Sequence, residues 1–232
     1  MGKIGIIGAM EEEVLALREK LKVTDVRSIA SLEFYVGTLH GKEIVLVKAG
    51  IGKVNAAICT QLLIDCFHID SVINTGVAGA LSDELNIGDI VISVDAIQHD
   101  MDATGFGYEK GVIPRMEESV FKADKRLVHI AEKASEVLSV NTNIFTKRIV
   151  SGDQFISDPE KKKELIKEFS GFCTEMEGAA IAHACYVNKI PFVIIRSISD
   201  KADDSAEVNF SQFTQLAAAN SCKMIEKMVD IM

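Results

Sequence analysis

Apolar positions recur along this chain in two rhythms, and their alternation predicts the architecture. Short apolar runs, of the kind that suits strands covered on both faces, occur at Lys3–Gly8, Ser71–Asn74, Asp89–His99, Asn143–Val150 and Phe192–Ile195. Between them the apolar residues fall at helical spacing. Met10–Lys22 carries a stripe of Met10, Val14, Leu17 and Leu21, and Val54–Phe67 and the amphipathic Lys122–Leu138 read as further helices. Ser157-Asp158-Pro159-Glu160 is a capping box with proline in the first turn, opening a helix to about Phe169. Gly178–Val187 is small or apolar on every side, the pattern of a buried helix, and Ser211–Met228 closes the chain behind Phe210. Glu33–Leu39 and Lys42–Lys48 form an antiparallel hairpin around His40-Gly41. Strands alternating with helices predict an α/β sheet flanked by helices. With 232 residues, three prolines and no Ser/Gly-rich tract, residues 1–232 read as a single domain.

The segment Cys173–Asp204 concentrates the candidate chemistry. Glu175 and Glu177 end one predicted strand, a buried helix follows, and the next strand runs through Arg196 to Ser199-Asp200. In open α/β sheets ligands bind outside the carboxyl ends of strands, so this unit is one wall of a predicted site. An arginine in an apolar strand needs an anion, because burying it unpaired costs several kcal/mol. Glu175, Glu177 and Asp200 are the nearest candidates, and a structural ion pair satisfies the requirement as well as a functional one. At the first helix, Glu11, Glu12 and Glu13 suit a helix N-terminus. Successive residues turn by about 100°, which leaves only Glu13 at the edge of the apolar stripe, where it can face a pocket at the end of the first strand.

Composition and charge narrow the chemistry. A formal net charge of −9 disfavours nucleic acid, and the one basic run, Lys161-Lys162-Lys163, lies beside Glu160 and Glu164 on a helix. No apolar run reaches membrane-spanning length, and the first ten residues read as a strand and not as a signal peptide. Five cysteines without metal-type spacing predict reduced thiols and a cytoplasmic protein. Ala49-Gly50-Ile51-Gly52-Lys53 fails as a P-loop, since Val47 replaces its first glycine and Val54 follows the lysine. Thr75-Gly76-Val77-Ala78-Gly79 reads as a second glycine loop after a strand. Residues 99–116 form a long loop. His99-Asp100-Met101-Asp102 within it is a weak metal candidate, and Phe106, Ile113 and Pro114 read better as a lid or subunit contact.

Taken together, Gly8-Ala9-Met10-Glu11-Glu12-Glu13, Asn74-Thr75-Gly76-Val77-Ala78-Gly79, Ser151-Gly152-Asp153, Glu175-Met176-Glu177 and Ile198-Ser199-Asp200 follow the order and approximate spacing of the 5′-methylthioadenosine/S-adenosylhomocysteine nucleosidases. The resemblance runs from about residue 3 to residue 228. It implies a nucleoside phosphorylase-like three-layer fold, a homodimer, no metal or cofactor, and hydrolysis of the N-glycosidic bond of a 5′-substituted adenosine. Carried over by position, it implies that Glu13 activates the attacking water and that Asp200, supported by Ser199, hands a proton to N7 of the leaving adenine. Glu177 then holds the ribose hydroxyls with Met176 beside the sugar, and Arg196 helps order the water site. Phe155 stacks on the adenine, the Ile156 backbone reads its edge, and Ile51, Met10 and Phe210 border the 5′-alkylthio end. Glu175, Ala78 and Gly79 belong to the same substrate-binding set, and Phe106 and Pro114 reach the partner's pocket. Val77 stands where some relatives carry a serine near the water, and a valine side chain cannot make that hydrogen bond.

The residue types suit glycosidic hydrolysis, in which carboxylates act as acid, base and charge stabiliser around an oxocarbenium-like state. An ordinary Asp, with a pKa of ~3.9, would cost about 4 kcal/mol to protonate at pH 7, so Asp200 is expected in an apolar or pre-paired setting. Two other readings stand beside this one. A phosphate-dependent purine nucleoside phosphorylase, or another nucleosidase of the same fold, needs a different second substrate or base. A nucleoside-binding module predicts binding without turnover.

Overall fold

The computed structural model describes residues 2–232. Ten strands form one mixed sheet: β1 (Ile4–Gly8), β2 (Lys22–Ile29), β3 (Leu32–Leu39), β4 (Lys42–Lys48), β5 (Ser71–Ala80), β6 (Ile90–Gln98), β7 (Val120–Lys122), β8 (Ile144–Ser151), β9 (Cys173–Glu175) and β10 (Phe192–Asp200). Among the described residues six α-helices accompany them: α1 (Glu11–Lys20), α2 (Lys53–Phe67), α3 (Lys125–Ala134), α4 (Pro159–Phe169), α5 (Gly178–Asn188) and α6 (Ala206–Ile231). The strand order is β10-β6-β8-β9-β5-β1-β4-β3-β2, with β7 paired to β6. Because β10 also pairs with β5, the strands β5, β10, β6, β8 and β9 close into a circuit.

Period-two alternation assigns each strand residue to one of two cores. Phe192, Ile194 and Ile198 of β10, and Val45 and Val47 of β4, pack with α2 and α5. Val193, Ile195, Ile44 and Leu46 face the other way, onto α1, α3 and α6. Helices therefore cover both faces, and the short apolar runs are short because nothing in them needs to meet water. β1, β5 and β10 are mutually parallel through β5, so their carboxyl ends open on the same side.

Four elements depart from the sequence reading. β2 was not expected: seven of its eight residues are exposed, and as an edge strand paired only to β3 it carries no apolar alternation. The predicted glycine loop Thr75–Gly79 is instead the second half of β5, in register with β10. The third helix starts later than the apolar stripe, because Val120–Lys122 pairs with β6 and the Asp124 side chain caps α3 by accepting from the Leu127 amide at 3.0 Å. α6 begins five residues earlier than expected, after a turn in which Asp203 accepts the amide and hydroxyl of Ser205.

Candidate active site

A cavity of about 330 Å³ opens at the carboxyl ends of β1, β5, β9 and β10. Glu13, Glu177 and Asp200, far apart in the chain, all border it, and all three are buried.

Glu13 is placed by its position as the third residue of α1. Its Oε2 accepts the amides of Ala9 at 2.6 Å and Met10 at 3.0 Å, the reach back to the helix cap that a glutamate at this position makes. Its Oε1 accepts the Val77 amide of β5 at 3.1 Å. That approach depends on Gly76, where a Cβ would lie 2.6 Å from Oε1. Glu11 turns outward to Arg18 and Lys48, and Glu12 is exposed. Burial raises the Glu13 pKa, against the pull of Arg196 and of the three amides. A raised pKa makes the carboxylate a stronger base near neutral pH.

Asp200 ends β10 at a register shift against β5. Its Oδ1 accepts the Ala202 amide at 2.9 Å and its Oδ2 accepts the Ser199 hydroxyl at 2.8 Å. Gly79 lets it close on β5, since a Cβ there would lie 2.7 Å from Oδ1. Burial raises the Asp200 pKa, with the two hydrogen bonds opposing it. Its setting is both apolar and pre-paired.

The two glutamates of the third motif have separate fates. Glu175 ends β9 with both oxygens engaged. Oε2 accepts Arg196 at 2.5 Å and the amides of Glu177 and Gly178 at 3.0 and 2.7 Å, and Oε1 accepts the Ser151 hydroxyl. Ser151 in turn accepts the Ala179 amide at 2.7 Å, so the two side chains cap the N-terminus of α5 together. Burial alone would raise the Glu175 pKa, but Arg196 and Ser151 outweigh it and hold the carboxyl below its usual range. Glu177 belongs to the cap of α5 and not to the strand. Its Oε1 accepts one amide, that of Gly52, at 2.7 Å. Burial and then the neighbouring Glu175 charge push its pKa up. Glu177 is therefore the one of the pair with capacity left for a ligand.

Arg196 lies behind the cavity wall. It joins Glu175 to Asn74, whose Oδ1 accepts it at 2.5 Å and whose amide donates to the Ile7 carbonyl at 2.9 Å. The arginine thus ties β10, β9, β5 and β1 together, and it bears on Glu13 through its charge.

The remaining lining is apolar. Met10, Ile51, Phe155 and Phe210 form one rim, with the Phe155 and Phe210 rings edge to face at 5.7 Å. Ile156, Ala78, Gly79, Met176 and Ser199 line the interior. Phe106 does not reach this cavity: it sits in a 3₁₀ turn of the long loop and is 88% exposed. Pro114 is likewise outside the lining, and Ile113 packs on the core. The His99-Asp100-Met101-Asp102 stretch is dispersed. Asp100 binds Lys53, Asp102 caps the 3₁₀ turn, and the His99 ring is buried against Gly152 with neither nitrogen paired.

Gln154 and Thr174 line the cavity without having been singled out from the sequence. Alternation along β9, with Cys173 in the core, was the available signal for Thr174. Its buried hydroxyl has no partner. Thr174→Val is expected to raise the thermal unfolding midpoint by relieving about 1 kcal/mol of unmet desolvation. A lowered midpoint in calorimetry would show instead that water satisfies the hydroxyl in solution.

Over residues 3–230 the chain matches the model of the phosphorylase superfamily. It is 46% identical to the 5′-methylthioadenosine/S-adenosylhomocysteine nucleosidase of Halalkalibacterium halodurans, over 97% of this chain and 96% of the relative. It is 47% identical to the Staphylococcus aureus protein of the same name, over 97% and 98%. The chain belongs to the 5′-methylthioadenosine/S-adenosylhomocysteine nucleosidase family. Among solved structures, the Neisseria meningitidis nucleosidase in complex with methylthio-immucillin-A superposes over the full length of both chains with a TM-score of 0.96 at 41% identity. The Helicobacter pylori futalosine hydrolase superposes with a TM-score of 0.93 at 33% identity, over 99% of this chain and 98% of that one.

Proposed function

We propose that this protein hydrolyses the N-glycosidic bond of 5′-methylthioadenosine and S-adenosylhomocysteine, and also of 5′-deoxyadenosine, releasing adenine and the 5-substituted ribose. The observation that carries the reading is the convergence of Glu13, Glu177 and Asp200 on one cavity with an apolar rim.

In this reading Glu13, the base, removes a proton from water. Asp200, the acid, protonates N7 of the departing adenine. When Asp200 carries its proton on Oδ2, it donates to the Ser199 hydroxyl, which can turn its own proton to the Ala78 carbonyl 3.4 Å away. The pairing therefore survives a change of protonation. Glu177 has a free acceptor for the ribose hydroxyls. Arg196 and Glu175 act by position: the pair fixes the start of α5 and so the place of Glu177. Phe155 offers a face to the base, and Met10, Ile51 and Phe210 offer an apolar surface to the 5′-thioether. No lysine or arginine is among the described residues lining the cavity, and four carboxylates are. The cavity thus offers phosphate no cationic side chain to bind it, which favours water as the nucleophile.

The rest of the reading concerns setting. The protein acts as one domain in the cytoplasm, and no helix among its described residues is long and apolar enough to cross a membrane. It functions as a homodimer. Ile51, Val54 and Ile58, one helical turn apart along α2 and its approach, are 53%, 68% and 48% exposed beside the cavity, and Phe106 projects from the adjacent long loop. Light scattering is expected to give twice the chain mass.

The test is a time course of free-base release, adenine from the three nucleosides and hypoxanthine from futalosine, in phosphate-free buffer and again with phosphate. Release of adenine without phosphate is the expected result. Strict phosphate dependence would make the protein a phosphorylase. Turnover of futalosine alone would move the substrate assignment.

A further inference from the structure

Two loops outside the sheet supply the cavity with lining residues. One, residues 49–53, contributes Ile51 and the Gly52 amide that holds Glu177. The other, residues 152–156, contributes Gln154, Phe155 and Ile156. A closed ring of hydrogen bonds joins them. The Lys53 amide donates to Asp153 Oδ1 at 2.8 Å, the Asp153 amide donates to Asp100 Oδ2 at 2.9 Å, and the Lys53 ammonium donates to Asp100 Oδ1 at 2.6 Å. Gln98, at the end of β6, accepts the same ammonium at 3.0 Å and contacts His183 of α5 at 3.3 Å, which anchors the ring to the scaffold. None of Lys53, Asp100 and Asp153 lines the cavity, yet each loop member of the ring is the immediate chain neighbour of a residue that makes or supports the site.

We infer that Asp100 and Lys53 are positioning residues: their ion pair locks the base-side loop to the ribose-side loop and sets substrate affinity without taking part in the chemistry. The inference rests on the nucleosidase reading of the cavity. Each loop is tied to the scaffold by its own main-chain bonds, Ala49 and Gly50 to β1 and its end and Gly152 to Glu175, and the ring is what joins one loop to the other. The first residue of α2 lacks an intrahelical acceptor for its amide, and Asp153 provides one from the other loop. Gly52, at φ +97°, has its backbone so near Asp153 that a Cβ would lie 3.0 Å from Oδ1. The Asp100–Lys53 pair is only partly exposed, with each side chain at 17%, so water screens it less than a surface pair. Burial works to raise the Asp100 pKa, but Lys53 and the Asp153 amide overcome this and hold it low, so the carboxylate keeps both bonds at neutral pH.

If the ring sets affinity, its loss must appear in binding on both sides of the glycosidic bond and not in proton transfer. Asp100→Asn keeps the shape of the side chain but removes the charge and one acceptor. It is expected to raise KM for methylthioadenosine and the Kd for adenine by about tenfold, the effect of losing one charge-assisted hydrogen bond. The kcat and the pH dependence of kcat should stay near those of the wild type, because Glu13 and Asp200 belong to other elements and the Gly52 amide that holds Glu177 is not a member of the ring. Lys53→Met removes the same ion pair from its other end and should match it. The double variant should be no worse than either alone, and Lys53→Arg should restore most of the affinity. The adenine Kd is measured by calorimetry and needs no turnover. A wild type that binds adenine but releases none from any nucleoside would refute the nucleosidase reading while leaving the loop lock open to this same measurement. An unchanged KM and adenine Kd, a fall in kcat at constant KM, or additive effects in the double variant would each overturn the lock. A variant that fails to fold is replaced by the one at the other end of the pair.

Discussion

Asp200→Asn is expected to lower the rate of adenine release by about 10²–10⁴-fold, the contribution of a positioned proton donor. The substitution removes little else. Asn retains an oxygen for the Ala202 amide, and its amide nitrogen can donate to Ser199, which then donates to the Ala78 carbonyl. Folding should therefore survive. The sign of the pKa shift sharpens this. A carboxyl whose pKa is raised by folding contributes stability that is fully present below its unfolded pKa and lost as pH rises through its folded pKa. Near neutral pH the wild type accordingly carries a penalty for a buried Asp200 carboxylate that the variant lacks. The variant should unfold at the same temperature or a higher one. Wild-type activity should fall on the alkaline side as the free enzyme's Asp200 loses its proton, and on the acid side as Glu13 gains one. In the variant the alkaline limb should be missing from what activity remains. Turnover close to wild type, measured at steady state across this pH range, would remove Asp200 from the role of acid.

Glu13→Gln should cost activity of the same order, about 10²–10⁴-fold, but with a different signature. All three hydrogen bonds at Glu13 are donated to it by backbone amides, two to one oxygen and one to the other. A glutamine must turn its own NH₂ toward one of those sets. Whichever way it flips, donor meets donor. At least one buried amide loses its acceptor, at about 1–3 kcal/mol. The variant should be inactive, and its lost amide acceptor works against the relief of no longer burying a carboxylate, so its midpoint should lie below that of Asp200→Asn. Calorimetry beside the activity assay separates the two. An inactive variant with a midpoint as high as that of Asp200→Asn would show that the carboxylate is not held by the main chain. Loss of the Glu13 charge also removes a neighbour of Arg196, but Glu175 and Asn74 still pair that guanidinium directly.

The outline of the site is legible in the sequence where a residue's place follows from a repeat. Helical phase alone separates Glu13 from Glu11 and Glu12, because only one of three consecutive acids can sit at the edge of the Val14–Leu17 stripe. The strand through Arg196 to Asp200 is legible for the same kind of reason. The roles of Glu175 and Glu177 are not. They are identical side chains two residues apart, and what separates them is that Arg196 and Ser151 arrive at one and Gly52 at the other, from distant parts of the chain. β5 is misread locally because Gly76 and Gly79 look like turn residues. They are small so that Glu13 and Asp200 can press against a strand, a demand that exists only in three dimensions. β2 leaves no mark in the hydropathy pattern because almost none of it is buried. The ring through Lys53, Asp100 and Asp153 is invisible for a further reason: two of its three bonds use backbone amides, which every residue type except proline carries.

The Val77 contact has a corollary for mutagenesis. What position 77 gives to Glu13 is its peptide N–H, so the contact is indifferent to the side chain attached there. That side chain borders the cavity and can be changed without removing the amide that Glu13 accepts. Position 77 can thus carry a hydroxyl or a hydrocarbon while the Glu13 carboxylate keeps its main-chain donor, which makes it a natural first site for a saturation library.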